Sequence, residues 1–183
     1  VVALFRHFPA PWWVSGGYAI ELAVGHPYRE HGDVDISVLR RDHEAVRAHL
    51  AAWDCHAADP PGHLRPWPIE ENLPLHVHDI WVRELGGTRW RFQLMLDESD
   101  GDTWIYRRDH SIRRPLLEVF DAQLDPPRIA PEVQLRYKSR GLRPKDELDF
   151  TMVLPRLSVE QRRWLATALL TEHGNHPWVA RLS

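Results

Sequence analysis

Two aspartates one residue apart lie in an otherwise apolar run near the N-terminus. Asp33 and Asp35 alternate with apolar residues as far as Val38, which is the period of a β-strand. Successive side chains of a strand point to opposite faces, so both carboxylates project from the same face with Cβ atoms roughly 6–7 Å apart. Like charges this close repel unless a cation lies between them, and hard oxygen ligands suit Mg²⁺ or Mn²⁺. The pair therefore predicts a divalent metal site, although a bare Asp-x-Asp is more commonly an exposed strand edge.

A paired glycine just upstream of the aspartates strengthens the metal interpretation. Ser15-Gly16-Gly17 follows a strand-like run and precedes a helix-like one. Glycines at such a junction let backbone N–H groups approach a phosphate, and the helix N-terminus favours its negative charge. Together the two features predict a phosphate-binding turn that faces a metal site.

The elements around these residues follow from local patterns. We predict a strand over 11–14, a helix from Tyr18 to Val24 that ends at Gly25, and a helix that begins after Asp42 and extends to Trp53. Residues 57–74 are predicted to be a loop. Two strand-like runs, 75–84 and 88–96, joined by Gly86-Gly87, predict a hairpin, and residues 104–107 predict another short strand.

The C-terminal part is predicted to be helical. Pro131 suits a first helical position, and that helix is expected to end near Gly141. Residues 145–153 are predicted to continue in helix, and a capping box at Ser158 opens a last helix that ends at Gly174. We therefore expect an α/β (α+β) fold, with a small mixed-sheet core over 1–125 and a helical part over 126–183. One domain with a helical extension is the alternative.

Residues 16–35 resemble the nucleotidyltransferase superfamily that includes DNA polymerase β, and most closely its aminoglycoside nucleotidyltransferases. The motif of those enzymes reads Gly-Gly-Trp-Ala-Ile-Asp, then Arg-x-His, then Asp-x-Asp. The corresponding stretches here are residues 16–21 (GGYAIE), 29–31 (REH) and 33–35 (DVD). Tyr18 and Glu21 depart conservatively from the motif. The resemblance implies a nucleotidyltransferase fold and makes Arg29 and His31 candidates for nucleotide or substrate binding.

The segment over 131–150 resembles the Lys…Lys-Asp-x-x-Asp helix of related nucleotidyltransferases, including toxin-type members. It aligns Lys138, Lys145, Asp146 and Asp149 with that helix. The lysines are expected to neutralise triphosphate charge as point cations. For the two aspartates, binding of a cationic acceptor, orientation of Lys145 and simple solvation of a surface are all open, and orientation of Lys145 is favoured.

The mechanism that the resemblance implies uses two metal ions, bound by Asp33 and Asp35, and a nucleoside triphosphate. An acceptor hydroxyl attacks the α-phosphate in line and pyrophosphate leaves. Ser15, Gly16 and Gly17 would bind the β- and γ-phosphates.

A third carboxylate is usual on a neighbouring strand, as a metal ligand or as the general base. In residues 89–99 the mid-strand position is Gln93, which cannot act as a base. Asp97 has the right parity but lies about 13 Å further along the strand. We predict Asp97 as the third catalytic and metal-binding carboxylate; Glu98, or no such group, remains open.

Two other clusters admit a functional interpretation. His76 and His78 share a strand face, as zinc ligands do, but there is no cysteine nearby and the chain has 12 histidines, so zinc is not favoured. Arg107 and Arg108 follow aromatic residues and either grip a phosphate or nucleobase or form a solvated surface pair, the second being favoured.

Composition bounds the remaining classes. The 183 residues carry a net charge of −3, which argues against a large non-specific nucleic-acid surface. No apolar run has the length of a membrane span, the start of the chain lacks a signal-peptide layout, and Cys55 is the only cysteine, so a cytoplasmic protein is expected.

The sequence therefore predicts a metal-dependent nucleotidyltransferase that moves a nucleoside monophosphate, AMP from ATP, to a hydroxyl of a small molecule, with an aminoglycoside-like acceptor by analogy. Mg²⁺ (or Mn²⁺) and ATP or another nucleoside triphosphate are the predicted cofactor and co-substrate. Two alternatives remain: a toxin-type enzyme acting on RNA or protein, and a degenerate nucleotide-binding module without catalysis, which Gln93 keeps open.

Overall fold

The structure is a computed structural model that describes residues 1–183. Ten strands form one connected mixed sheet. The strands are β1 (Trp12–Ser15), β2 (Asp35–Leu39), β3 (Trp53–Ala58), β4 (Leu64–Pro66), β5 (Asp79–Glu84), β6 (Phe92–Asp100), β7 (Thr103–Ile105), β8 (Arg113–Pro115), β9 (Phe120–Asp121) and β10 (Arg128–Ile129). The main path runs in the order β4-β3-β5-β6-β2-β1-β10-β9, with β7 and β8 added to the end of β6.

The centre of the sheet carries the Asp-x-Asp segment. Strand β2 is antiparallel to β1 and parallel to β6. Asp35 is flanked by Ser15 on β1 and by Gln93 on β6. Since residues in register share a face of the sheet, all three side chains point toward the same side.

Six α-helices complete the fold. They are α1 (Val2–Phe5), α2 (Gly16–Val24), α3 (His43–His49), α4 (Pro131–Lys138), α5 (Pro144–Val153) and α6 (Val159–His173). Helix α2 connects β1 to β2 and packs against α4 and α5. The helices of the C-terminal part thereby cover the turn between β1 and α2. No helix in the fold combines the length and hydrophobicity that a membrane span requires.

Two apolar clusters hold the layers together. The larger one lies on the sheet and includes Trp13, Ile36 and Leu94 together with Val133 from α4. In the smaller one, Ile20 of α2 and residues of α4, α5 and α6 pack together. Each cluster contains residues from before and from after position 125, so the apolar core is continuous across the predicted boundary.

The mixed α/β fold class is confirmed, and most predicted elements are present. The Gly86-Gly87 turn joins β5 and β6 as an antiparallel hairpin. The capping box at Ser158 is present, with the Gln161 side chain accepting from the Ser158 backbone. Three predictions are wrong. The first strand of the hairpin begins at Asp79 rather than at residue 75, so His76 and His78 do not share a strand face. Trp53 begins β3 rather than ending α3, and the loop predicted over 57–74 contains β4, because pairing with β3 across the sheet outweighs the local Pro and Gly content.

Candidate active site

The carboxylates of Asp33 and Asp35 lie at the start of β2 and line one cavity of about 260 Å³. Asp33 is exposed, whereas Asp35 is partly buried. Neither carboxylate has a basic partner within 4.0 Å or a hydrogen-bond donor from the protein. Burial and the neighbouring charge of Asp33 raise the pKa of Asp35 to about 6, although the charges of Lys138 and Lys145 oppose the shift.

This pair fits a divalent cation. A partly buried carboxylate beside a second one carries uncompensated negative charge, and a cation between them would relieve it. No third His, Cys, Asp or Glu completes a metal cluster with them. The remaining coordination positions would therefore be filled by water and substrate phosphates, which is usual for Mg²⁺.

Gly16 lies directly against Asp35. Its φ is +67°, and a Cβ built there would lie 1.7 Å from Asp35 Oδ2. A glycine is therefore required both by the backbone conformation and by the close approach of the carboxylate. Helix α2 begins at this residue, so its N-terminus points at the aspartate pair.

Two polar groups of the predicted phosphate turn already have partners. The Gly16 N–H donates to Gln134 Oε1 over 2.7 Å, and the Ser15 hydroxyl lies 2.7 Å from Ser37 Oγ. The amide oxygen of Gln134 therefore occupies the place that a phosphate oxygen would take on Gly16. Gln134 was not predicted as a site residue, although it lies four residues before Lys138 and so on the same face of α4.

Arg29 and His31 cover Gly17. A Cβ at Gly17 would lie 2.3 Å from Arg29 Nη2 and 2.5 Å from His31 Nδ1. His31 Nε2 lies 3.0 Å from Glu21 Oε2, and its ring stacks on Tyr18 at 4.2 Å. The two residues that depart from the family motif thus hold His31 in place.

Asp149 on α5 ties Arg29 to the C-terminal part. Arg29 Nε and Nη2 donate to the two carboxylate oxygens over 2.6 and 2.9 Å, and the Tyr28 hydroxyl donates over 2.7 Å. Burial alone would raise the pKa of Asp149, but the hydrogen bonds from Arg29 and Lys138 outweigh burial and hold the pKa below its ordinary value.

The two lysines differ in their environment. Lys138 Nζ is buried and lies 2.8 Å from Asp149 Oδ2 and 3.4 Å from Asp146 Oδ1. Lys145 lines the cavity, is exposed and has no carboxylate within 4.0 Å. The favoured interpretation that the two aspartates orient Lys145 is therefore wrong, because they hold Lys138 instead, with Arg143 also on Asp146.

Asp97 is not brought close to Asp33 and Asp35. The β2–β6 register pairs it with Leu39, four residues beyond Asp35, which is about 13 Å along the strand. Its Oδ1 accepts from the Tyr137 hydroxyl over 2.6 Å and from Trp104 Nε1 over 3.3 Å. Burial raises the pKa of Asp97 despite these donors.

The geometry does not support the prediction that Asp97 is a third metal ligand. Glu98, the alternative, pairs with Arg40 and does not line the cavity.

The cavity nevertheless collects every residue predicted for the site. Asp33, Asp35, Asp97, Ser15, Gly16, Gly17, Arg29, His31, Lys138 and Lys145 all line it. It also contains residues that were predicted only weakly or not at all, namely Ser37, Gln93, Arg107, Arg108, Gln134, Tyr137 and Arg143. The arrangement can hold a cation on one side and a polyanion against the α2 N-terminus and the lysines.

The fold of the protein is the nucleotidyltransferase fold. The chain is similar to the lincosamide antibiotic adenylyltransferase LnuA, solved with lincomycin bound, with 16% identity and a TM-score of 0.57 over 85% of this chain and 93% of that one. It is also similar to ANT(2″)-Ia in complex with adenylyl-2″-tobramycin, with 13% identity and a TM-score of 0.59 over 93% and 94% of the two chains. A solution structure of ANT(2″)-Ia matches with 12% identity and a TM-score of 0.58, over 94% of this chain and 89% of that one.

Sequence similarity points the same way over the N-terminal part. The family model of aminoglycoside-2″-adenylyltransferase matches residues 1–80, which include the paired glycine and both Asp33 and Asp35. No curated protein sequence matches the chain. The resemblance to the aminoglycoside nucleotidyltransferase branch is thus confirmed, by sequence over residues 1–80 and by the fold over most of the chain.

Proposed function

We propose that this protein is a metal-dependent nucleotidyltransferase that moves a nucleoside monophosphate, AMP from ATP, to a hydroxyl of a small molecule. The observation that carries the proposal is the aspartate pair. Asp33 and Asp35 have no protein partner, and they face the N-terminus of α2 in a cavity that also contains Lys145. A carboxylate pair that has no basic side chain as partner and lies beside a helix N-terminus fits a metal-bound triphosphate.

Each group of the cavity has a defined task in this reaction. Bound Mg²⁺ or Mn²⁺ would supply charge neutralisation at the attacking and leaving oxygens. Asp33 and Asp35 would hold it. The helix N-terminus at Gly17 and the exposed Lys145 would bind triphosphate oxygens, and Gln134 would give up the Gly16 N–H to one of them.

The bond changes balance without a further reactant. The acceptor oxygen bonds to the α-phosphorus, the bond from that phosphorus to the bridging oxygen breaks, and pyrophosphate leaves. The acceptor proton is released to a base or to water. Gln93 holds the position beside Asp35 on β6, so no carboxylate of that strand reaches this proton at the metal pair. We assign Asp97 a positioning task, which is to hold the Tyr137 hydroxyl at the cavity wall.

Buried Lys138 and Arg29 are also positioning groups in this account. Both side chains form ion pairs with Asp149, so their charges are already compensated. Their task is to form the wall behind Gly17 rather than to neutralise a triphosphate. Arg29 closes the site from the α2 side with His31.

The donor and acceptor follow from the similar proteins. One of the similar proteins is a lincosamide antibiotic adenylyltransferase solved with lincomycin bound, and another was solved in complex with adenylyl-2″-tobramycin. We therefore propose ATP as donor, and a small hydroxylated molecule as acceptor, with the antibiotics of those proteins as the nearest model for its size.

Pyrophosphate release from ATP, with hydroxylated compounds offered as acceptors, tests the proposal. We expect release to require Mg²⁺ or Mn²⁺ and to be lost in Asp33→Asn and Asp35→Asn. Metal-dependent ATP binding without release under any acceptor would favour the degenerate nucleotide-binding module, for which Gln93 beside Asp35 is the specific observation.

A further inference from the structure

A second cavity adjoins the first. It has a volume of about 310 Å³ and lies beside the start of β5. Arg107 and Arg108 line both cavities and form the wall between them. The other lining residues are Ala58, Pro61, Gly62, His76, His78 and Asp79. The aspartate pair and the α2 N-terminus line the first cavity, where the nucleotide is proposed to bind. The second cavity adjoins it and can hold another molecule.

The charged groups of the second cavity are mainly cationic. Asp79 is its only carboxylate, and Arg107 Nη1 lies 3.8 Å from Asp79 Oδ1. Arg108 is exposed and has no carboxylate within 4.0 Å; its Nη1 donates to the Tyr106 hydroxyl over 3.2 Å and to the Tyr137 carbonyl over 3.4 Å. One arginine charge is therefore left without a counter-charge at this wall.

The two histidines of this cavity have different partners. His78 Nδ1 accepts from Arg40 Nη2 over 2.9 Å, which leaves the ring proton on Nε2 because arginine can only donate. Burial and the charges of Arg107 and Arg40 lower the pKa of His78 to about 4, so the ring is neutral at pH 7. His76 is mostly exposed and lies 3.0 Å from Asp59 Oδ1.

We propose that this second cavity binds the acceptor and selects a hydroxylated small molecule that carries an anionic group, a carboxylate or a phosphate, over a polycation. The inference rests on the proposed function, which supplies the transferred nucleotide. A polycationic acceptor needs several carboxylates to replace its hydration, and this cavity has one, already opposite an arginine. An anionic group opposite Arg108 receives the charge-assisted hydrogen bonds that a guanidinium provides.

Substitution of His76 changes the charge of the second cavity without changing that of the first. His76 lines only the second cavity, so its substitution leaves the nucleotide side intact. His76→Glu adds a carboxylate, and His76→Lys adds a cation that keeps a partner in Asp59. His7→Glu is the matched control, because His7 is exposed and lines neither cavity.

The experiment measures binding by ligand-observed NMR in the presence of Mg²⁺ and a non-hydrolysable ATP analogue. The probes are sugars in matched acid, neutral and amine forms, exemplified by glucuronate, glucose and glucosamine, with tobramycin as the polycation. We expect the acid forms to bind more tightly than the other probes. Their affinity should fall about tenfold in His76→Glu and should not fall in His76→Lys. In the control His7→Glu their affinity should be unchanged.

Two failures are distinguishable. If the ATP analogue binds with Mg²⁺ but no acid form binds, or amine forms or tobramycin bind better, the inference about the acceptor is wrong while the proposed function stands. If the analogue itself does not bind, the proposed function fails with it.

Discussion

Arg29 binds both carboxylate oxygens of Asp149, through hydrogen bonds of 2.6 and 2.9 Å, although 120 residues separate the two. Asp149 is fully buried and also accepts from Lys138 and Tyr28. The contact joins the Arg-x-His segment of the N-terminal motif to helix α5. It explains how a helical C-terminal part shapes a cavity whose aspartate pair, Asp33 and Asp35, lies at the start of a sheet strand.

The first prediction concerns this buried network. Asp149→Ala leaves the guanidinium of Arg29 and the ammonium of Lys138 without their carboxylate in a dry environment. We expect the free energy of unfolding to fall by about 3–5 kcal/mol, as measured by urea denaturation, with a matching loss of ATP binding in the folded fraction.

Asp125→Ala is the matched control. Asp125 pairs with Arg6 across 3.3 Å, but the two side chains are 76% and 60% exposed. An exposed pair contributes about 0–1 kcal/mol, so the control should barely change stability. Equal losses in the two variants would show that the Asp149 network does not stabilise the fold.

Gly16→Ala tests the close approach of the turn to Asp35. The added methyl would lie 1.7 Å from Asp35 Oδ2 and would occupy a backbone conformation with φ of +67°. We expect turnover to be lost, because the carboxylate must move out of its place beside Asp33. Gly86→Ala is the control, since Gly86 also has a positive φ (+75°) but meets no atom within 4 Å. Equal activity in the two alanine variants would contradict the contact.

The raised pKa of Asp35 predicts a pH-dependent stability. The folded pKa is about 6 against an ordinary 3.8, so the folded state binds the proton more tightly than the unfolded one. Stability therefore rises as the pH falls from about 6 to 4 in the absence of metal. Above pH 6 the ionised carboxylate destabilises the fold by about 1–3 kcal/mol.

Asp35→Asn removes this pH-dependent contribution to the free energy of unfolding. With EDTA present, the variant should be more stable than the parent at pH 7 and equal to it near pH 4, in urea titrations at both values. Asp100→Asn, on an exposed part of β6, should show neither effect. A variant that is less stable than the parent at pH 7 would mean that Asp35 is favourably solvated in the fold.

A fourth prediction separates the tasks of Asp97 and Asp35. We expect Asp97→Asn to leave the Mg²⁺ concentration for half-maximal ATP binding within about twofold, because its Oδ1 is held by Tyr137 and Trp104 rather than by the metal site. Asp35→Asn should abolish Mg²⁺-dependent ATP binding. If Asp97→Asn also abolishes Mg²⁺-dependent ATP binding, Asp97 is a metal ligand after all.

The central part of the site could be predicted because its signals are local. A period-2 pattern put Asp33 and Asp35 on one face, and Gly16-Gly17 marked the junction of a strand and a helix. Both features depend on a few consecutive residues, and the structure places them together. Strand parity placed Gln93 on the same face as Asp97, but the position of Gln93 beside Asp35 is set by the register of β2 and β6.

The remaining features depend on contacts distant in sequence. Nothing local in α4 shows that Gln134 reaches the Gly16 N–H across 118 residues. The two aspartates of α5 were expected to orient the adjacent Lys145, but helix packing turns them toward Lys138. Strand β4 was missed for the same reason, since its pairing with β3 is absent from any local pattern. The second cavity likewise arises only where β5 meets the segment around Arg107.

Calorimetric titration of ATP into the protein, with and without Mg²⁺, tests the central claim most directly. The account predicts binding that requires Mg²⁺ and is lost in Asp33→Asn, whose exposed side chain can be changed without disturbing the core. Absence of ATP binding, or ATP binding that is equally tight without Mg²⁺ and in the variant, would contradict it.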